Sequence, residues 1–404
     1  MQIKRRVKMI SNKMKDLVAN SSIIRAMFEE GKRLSGIYGE ENVFDYSLGN
    51  PNVAPPENIK IEINKVLNET APGLVHGYMN NSGYEDVRSK IAEFLNKKHN
   101  INISCSNIVM TCGAAGGLNI LLKTLLNPED EVIVFAPFFG EYRNYVNNFD
   151  GKLVVVSTDI DTFEPDMQVL KDKINSKTKA IIINSPNNPT GIVYSEKVIQ
   201  DLAKVLREKE EELGTSIYLI SDEPYREIVY DNVKVPYILK YYKNSFIGYS
   251  YSKSLSIPGE RIGYVVANPN MDSFDDIMKS LNVANRILGF VNAPSLFQRV
   301  IGNCLDCEID VSIYKRSRDL LYNYLIKLGF TCVKPQGAFY LFIRTPIADD
   351  KKFCEDAKQF NLLLVAGSAF GCPGHARLSY CIAYDKIQNS LLAFDKLAKL
   401  YEIN

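Results

Sequence analysis

The fold class turns on Ala180-Ile181-Ile182-Ile183-Asn184-Ser185-Pro186-Asn187-Asn188-Pro189-Thr190-Gly191. An apolar, mostly β-branched run passes straight into a succession of turn formers. A short apolar run that does not alternate reads as a strand buried on both faces. Beyond the loop, Val198, Leu202, Val205 and Leu206 recur at helical spacing and Gly214 supplies a stop. Ile217–Ile220 then opens another apolar run. Strand, loop, helix and strand in this order make one crossover of a parallel sheet.

The same punctuation extends in both directions. Further apolar runs stand at Ile108–Met110, Val132–Phe135, Leu153–Val156, Phe246–Ile247 and Ile262–Ala267. Val87, Ile91, Phe94 and Leu95 mark another helix. The expected fold is α/β with a mainly parallel, seven-stranded sheet. From about residue 290 the pattern changes to a long helix through Tyr314–Leu328, the stop Gly329, and strand-like runs at Phe339–Ile343, Leu362–Val365 and Arg377–Ala383. That predicts a smaller α+β domain. The expected division is residues 1–45 as an N-terminal arm with part of the small domain, 46–288 as the large domain, and 289–404 as the small C-terminal domain.

Bulk properties narrow the function. A chain of 404 residues is long for one core and suits two packed units. A net charge of +1 argues against nucleic acid or an anionic membrane surface as partner. No apolar run approaches the roughly 20 residues that span a bilayer, and no apolar signal segment stands near the start. Cys105, Cys112, Cys304, Cys307, Cys332, Cys354, Cys372 and Cys381 are irregularly spaced and mostly set in apolar runs. They read as reduced thiols of a cytoplasmic protein. Cys304 and Cys307 form a CxxC, but a metal site wants a second pair or nearby histidines, and the chain holds only His76, His99 and His375. Lys4, Arg5, Arg6, Lys8, Lys13 and Lys15 read as a solvated basic arm.

Ligands of open parallel sheets sit outside the carboxyl ends of the strands, so the residues that follow each run carry the chemistry. Ile108–Met110 leads to Thr111-Cys112-Gly113-Ala114-Ala115-Gly116-Gly117. Small residues there let N–H groups approach an anion, and they also suit close strand–helix packing. Val132–Phe135 leads to Phe138 and Phe139, either a plate for a flat ligand or core. Ile217–Ile220 leads to Ser221-Asp222-Glu223-Pro224-Tyr225. A carboxylate at the end of a buried strand needs a cation or donors, or caps the next segment. Phe246–Ile247 leads to Ser250-Tyr251-Ser252-Lys253 and, after a Gly/Pro loop, Arg261. A lysine desolvated in such a place has a free amine for carbonyl chemistry. Together these ends suit a flat, phosphorylated, aldehyde-bearing cofactor with a basic ring nitrogen.

At this point the sequence resembles a known family, the class I/II aminotransferases of the aspartate aminotransferase superfamily, with pyridoxal 5′-phosphate (PLP) fold type I. The resemblance runs from about Phe44 to Tyr384. Ser185–Gly191, Asp222-Glu223-Pro224-Tyr225, and Ser250-Tyr251-Ser252-Lys253 with Arg261 carry it. It implies an aminotransferase working between an L-amino acid and a 2-oxo acid by ping-pong kinetics. It implies Lys253 as the Schiff-base lysine, Asp222 as partner of the pyridine nitrogen, and Tyr225 and Asn188 as partners of the cofactor's phenolic oxygen. Phe139 resembles the stacking aromatic. Ser250, Arg261 and the backbone of Gly113, Ala114 and Ala115 resemble the phosphate cup.

Further roles follow from the same likeness. Tyr78 resembles the tyrosine that reaches the phosphate of a neighbouring subunit, which implies a homodimer. Arg377 resembles the arginine that forks onto the substrate carboxylate, and Gly49 the glycine whose N–H meets the same group. Ala114 and Ala115 depart from relatives with Ser or Thr there, so the phosphate leans on backbone, Ser250 and Arg261. Asn50 stands where relatives often have an acid or Gln. Arg286 lies about one residue out of register with an arginine that reads dicarboxylates, so an aspartate/glutamate substrate and an aromatic one are both open. Other reactions on the same cofactor, a β-lyase acting on thioethers, a racemase or an α-synthase, share these residues. A non-catalytic sensor of this fold would need a DNA-binding module, and the stretch ahead of Phe44 is too short for one.

Overall fold

A computed structural model describes residues 10–19 and 23–403. Lys4, Arg5, Arg6 and Lys8 lie outside the described residues. Lys13 is not wholly solvated: its amine meets Asp150 Oδ1 at 2.9 Å and Asn148 O at 2.9 Å.

The strands, in chain order, are β1 (Phe44–Asp45), β2 (Ile108–Thr111), β3 (Glu131–Ala136), β4 (Lys152–Ser157), β5 (Thr178–Asn184), β6 (Tyr218–Asp222), β7 (Ser245–Ser250), β8 (Gly263–Ala267), β9 (Tyr340–Arg344), β10 (Leu362–Leu363), β11 (Val365–Ala366) and β12 (His375–Ser379). The expected seven-stranded sheet is present in the order β2-β8-β7-β6-β5-β3-β4. β3 to β7 run parallel, while β8 lies antiparallel between β2 and β7.

Period-two alternation divides each strand between two cores. Val132, Val134, Ala180, Ile182, Ile220 and Phe246 face the helices Gly113–Leu125 and Phe274–Ile287. Ile133, Phe135, Ile181, Ile183, Leu219 and Ile247 face the helices Glu85–His99 and Glu196–Leu213. Burying each of these Val, Ile, Leu or Phe side chains contributes about 1.5–3 kcal/mol. The helix Glu196–Leu213 is capped by Ser195, whose hydroxyl accepts from Val198 N, and ends at Gly214 in the left-handed region with φ 63°.

A third core gathers Tyr46, Tyr314, Leu321, Phe339, Leu341, Leu362, Leu378 and Phe394. The predicted long helix appears as Ser312–Lys327. The run read as one strand over Leu362–Val365 divides at Leu364. β10 pairs in parallel with β1, whereas β11 pairs antiparallel with β12. The two halves hydrogen-bond to different sheets, and continuous apolarity cannot signal that change of partner. β12 covers His375–Ser379 rather than the run Arg377–Ala383; Tyr380 N still donates to Phe339 O at 2.9 Å, and Ala383 stands at the N-cap of the helix Tyr384–Leu400. The helix Ser295–Ile301 sends Val300 and Ile301 into the core it shares with Val87 and Ile91.

Candidate active site

Parallel register aligns the strand ends. Asn184 stands opposite Asp222, and Asp222 opposite Gly248. Outside them lies a cavity of about 180 Å³. Of the residues singled out from sequence, Ala114, Ala115, Phe139, Asn188, Asp222, Tyr225, Ser250, Lys253 and Arg261 line it.

Asp222 ends β6 and is buried. Its Oδ2 accepts from the Tyr142 hydroxyl at 2.6 Å. Its Oδ1 is buried without a partner. Burial pushes the carboxyl up to about 7; the Tyr142 bond works against that and the neighbouring Glu223 adds to it. Such an oxygen has room for one more donor, and a cation would relieve it most.

Lys253 sits in the short helix Tyr251–Ser254, and its amine donates to Gly49 O at 2.7 Å. Burial pulls it down to about 8; Cys381 opposes the shift, while Arg261 and Arg377 reinforce it. A sizeable share of the amine is therefore neutral near pH 8. Gly49 has to be glycine for a steric reason, since an added Cβ would stand 2.1 Å from the Tyr340 hydroxyl.

The far end of the cavity is built for an anion. Arg261 adopts a left-handed backbone with φ 53°. Its guanidinium donates to Pro258 O at 3.0 Å and to Cys112 O at 3.4 Å. Gly113 also has positive φ, and a Cβ there would meet Arg261 Nη2 at 2.9 Å. The Ser250 and Ser252 hydroxyls lie 2.7 Å apart.

The loop after β5 is pinned from within. Asn184 donates to Asp222 O at 2.8 Å and accepts from Asn188 N at 2.7 Å. Asn188 Oδ1 then accepts from Arg377 at 3.1 Å. Arg377, on β12, is buried, donates also to Ser47 O, and lies 4.8 Å from the Tyr340 ring and 4.9 Å from the Phe370 ring. Burial lowers its pKa, with Tyr340 and Tyr225 working against that. Its buried Nε has no partner.

Some predicted residues stand apart. Tyr78 is 95% exposed and outside the cavity. Arg286 is exposed near the end of the helix Phe274–Ile287 and does not line the cavity either. Sequence reasoning missed Tyr142, Tyr145, Tyr340, Asn184 and Ser47. Tyr142 had one available signal: it follows Phe139 by three positions, one helical turn beyond the same strand end. Tyr340 had none, because its strand reads simply as core.

The chain is similar to known proteins over most of its length. Residues 41–392 match the family described as aminotransferase class I and II. An aspartate aminotransferase of Thermotoga maritima is 30% identical over 383 residues, covering 93% of this chain and 96% of the relative. The crystal structure of an amino transferase from Eubacterium rectale superposes with a TM-score of 0.95 at 44% identity, covering 97% of this chain and 99% of that one. The aspartate aminotransferase of Thermus thermophilus with maleate gives a TM-score of 0.85 at 25% identity, covering 96% and 99%.

Proposed function

This chain belongs to the class I and II aminotransferases, PLP-dependent enzymes of fold type I, and from that premise we propose that Lys253, Asp222, Tyr225 and Arg377 carry its amino-group transfer, with aspartate or glutamate as donor. The observation that carries the proposal is the company around one cavity: a buried amine, a buried carboxylate oxygen without a partner, and an arginine–serine end.

These residues fit the cofactor. Oδ1 of Asp222 is a buried acceptor awaiting a cationic donor, which a protonated pyridine nitrogen supplies. Ser250, Arg261 and the N–H groups of Gly113, Ala114 and Ala115 would hold the phosphate at a helix N-terminus. Phe139 would lie against the ring. Tyr225 and Asn188 would hold the phenolic oxygen. When bound, PLP supplies the aldehyde that takes up the amino group and a cationic ring that draws electrons from the substrate Cα.

The chain's own groups do the rest. Asp222 keeps the proton on the ring nitrogen. Lys253 Nζ would take the proton from the substrate Cα and deliver it to C4′ of the cofactor, a general acid–base step worth roughly 10²–10⁴-fold. Arg377 forks onto the substrate carboxylate with a geometry lysine lacks, beside the N–H of Gly49. One carboxylate fork means that the first oxo acid leaves before the second enters, hence ping-pong kinetics.

Aspartate is the donor named for the Thermotoga and Thermus relatives, and that supports the aspartate/glutamate assignment. Arg286 stands outside this chain's own cavity, so within one chain it does not read a side-chain carboxylate. Tyr78, almost fully exposed, suits a role in the site of a second copy, and we propose a homodimer. We assign residues 1–45 to an arm with part of the small unit, 46–288 to the large unit and 289–404 to the small unit, the helix Ser295–Ile301 folding back on the former. Among the described residues no helix is long and apolar enough to cross a membrane. We propose a cytoplasmic enzyme, which the free state of Cys105, Cys112, Cys304, Cys307, Cys332, Cys354, Cys372 and Cys381 supports.

The test is Lys253→Ala. The variant should show neither the visible absorbance of lysine-bound PLP nor turnover of aspartate with 2-oxoglutarate. Near wild-type transamination would remove Lys253 from its role. Oxo-acid production that does not need an acceptor oxo acid would instead favour a lyase.

A further inference from the structure

We propose that Tyr340 is a positioning residue, whose hydroxyl acts on the cofactor's phenolic oxygen through Tyr225. This rests on the assignment of Tyr225 above. Tyr340 opens β9, where pairing with Ser379 sets its register. Its hydroxyl lies 2.8 Å from that of Tyr225, with the rings edge to face at 5.6 Å and 86°. Both residues are buried.

The surroundings are shaped around that hydroxyl. Gly49 lacks the side chain that would displace it, since a Cβ would stand 2.1 Å from the Tyr340 oxygen. The Arg377 guanidinium covers the ring at 4.8 Å. A phenylalanine would fill the same space against Arg377, Phe339 and Tyr225, so packing alone does not call for the oxygen.

Proton counting gives the oxygen its task. Each phenol has one proton to donate and lone pairs to accept with. Burial holds both phenols protonated, Tyr225 well above its ordinary range and Tyr340 up to about 12. Once Tyr225 donates its hydrogen bond to the cofactor oxygen, the 2.8 Å contact has to be made with Tyr340 as donor. A hydroxyl that accepts a hydrogen bond becomes a stronger donor, by about 10–30% per bond in a chain. Tyr340 therefore strengthens the bond that stabilises the anionic phenolic oxygen. An anionic oxygen that is better stabilised lets the adjacent nitrogen, shared by Lys253 and the cofactor, lose its proton at lower pH.

The experiment is a pH titration of the visible absorbance of the PLP-loaded protein, in wild type, Tyr340→Phe, Tyr225→Phe and the double variant. Tyr340→Phe should move the midpoint upward by roughly 0.1–0.6 pH unit, the share of a charged hydrogen bond that such strengthening amounts to. Tyr225→Phe should move it further, and adding Tyr340→Phe to Tyr225→Phe should move it no more. An unchanged midpoint in Tyr340→Phe overturns the inference and leaves the proposed function standing. A shift of equal size in the presence and absence of Tyr225 overturns it too, because Tyr340 would then act by another route. A wild-type protein that gains no visible absorbance with PLP overturns the proposed function and this inference together.

Discussion

Asp222 and Lys253 are held in states that water would not favour, and each departure has a measurable consequence. The buried carboxyl has its pKa raised from 3.8 to about 7. In the cofactor-free protein, between those values, the folded state holds a proton that the unfolded state has released. The stability due to that proton is whole below about 4 and is lost as pH rises toward 7. Asp222→Asn removes the dependence. Denaturant melts of the cofactor-free proteins should show the variant gaining on wild type from pH 4 to 7, by a few kcal/mol at the upper end, with a constant difference above that. A constant difference throughout would contradict the burial argument. Lys253 is shifted downward, to about 8, so its neutral, nucleophilic form appears well before that of an ordinary lysine near 10.4. Mixed with PLP in a stopped-flow instrument, the cofactor-free protein should gain visible absorbance at a rate that rises with pH through a midpoint near 8. A midpoint near 10 would show a solvated amine.

The turn beyond β6 belongs to the next scale. Asp222 and Tyr225 are brought to one cavity by a segment held from behind by a buried ion pair. Arg226 forks onto Glu223, with Nη2 to Oε1 at 2.8 Å, and also donates to Val235 O at 3.0 Å and Pro236 O at 2.8 Å. Ser221 donates to the same carboxylate at 2.8 Å. Breaking such a pair leaves a buried charge uncompensated. Arg226→Met should cost about 3–5 kcal/mol in an unfolding titration, and combining it with Glu223→Gln should recover part of the loss. No recovery would place the role of Arg226 in its carbonyl contacts instead. At this scale the sequence was readable where turn chemistry is local. Gly214 ends a helix where its stop was expected, and Ser185–Gly191 formed a loop beyond β5, with Asn184 still in the strand. The division at Leu364 was not readable, since two strands with different partners spell one apolar run.

For the molecule as a whole, an exposed Tyr78 and an intact cavity in one chain make a divided site testable. If Tyr78 serves the partner's phosphate, a hybrid dimer of Lys253→Ala and Tyr78→Phe chains holds one fully native site. Purified hybrids should bind PLP at that site as tightly as wild type, while the Tyr78→Phe homodimer binds it more weakly; equal affinity in both dimers would exclude the shared site. The chain order of strands and polar loops could be read from residues alone, and the same reading pointed to Lys253, Asp222 and Arg261, which the fold brings to one cavity. Buried strands are apolar, their ends need turn formers, and a charge beside a buried strand needs a reason. The second half of the site depended on contacts between distant residues. Tyr142 reaches Asp222 across 80 positions, Tyr340 reaches Tyr225 across 115, and Gly49 meets Lys253 across 204. Sheet register and the meeting of two cores set those pairs, and the same burial sets the charge of Lys253 and Asp222. Composition and local spacing carry no record of which residues will meet in space, so that part had to come from the folded chain.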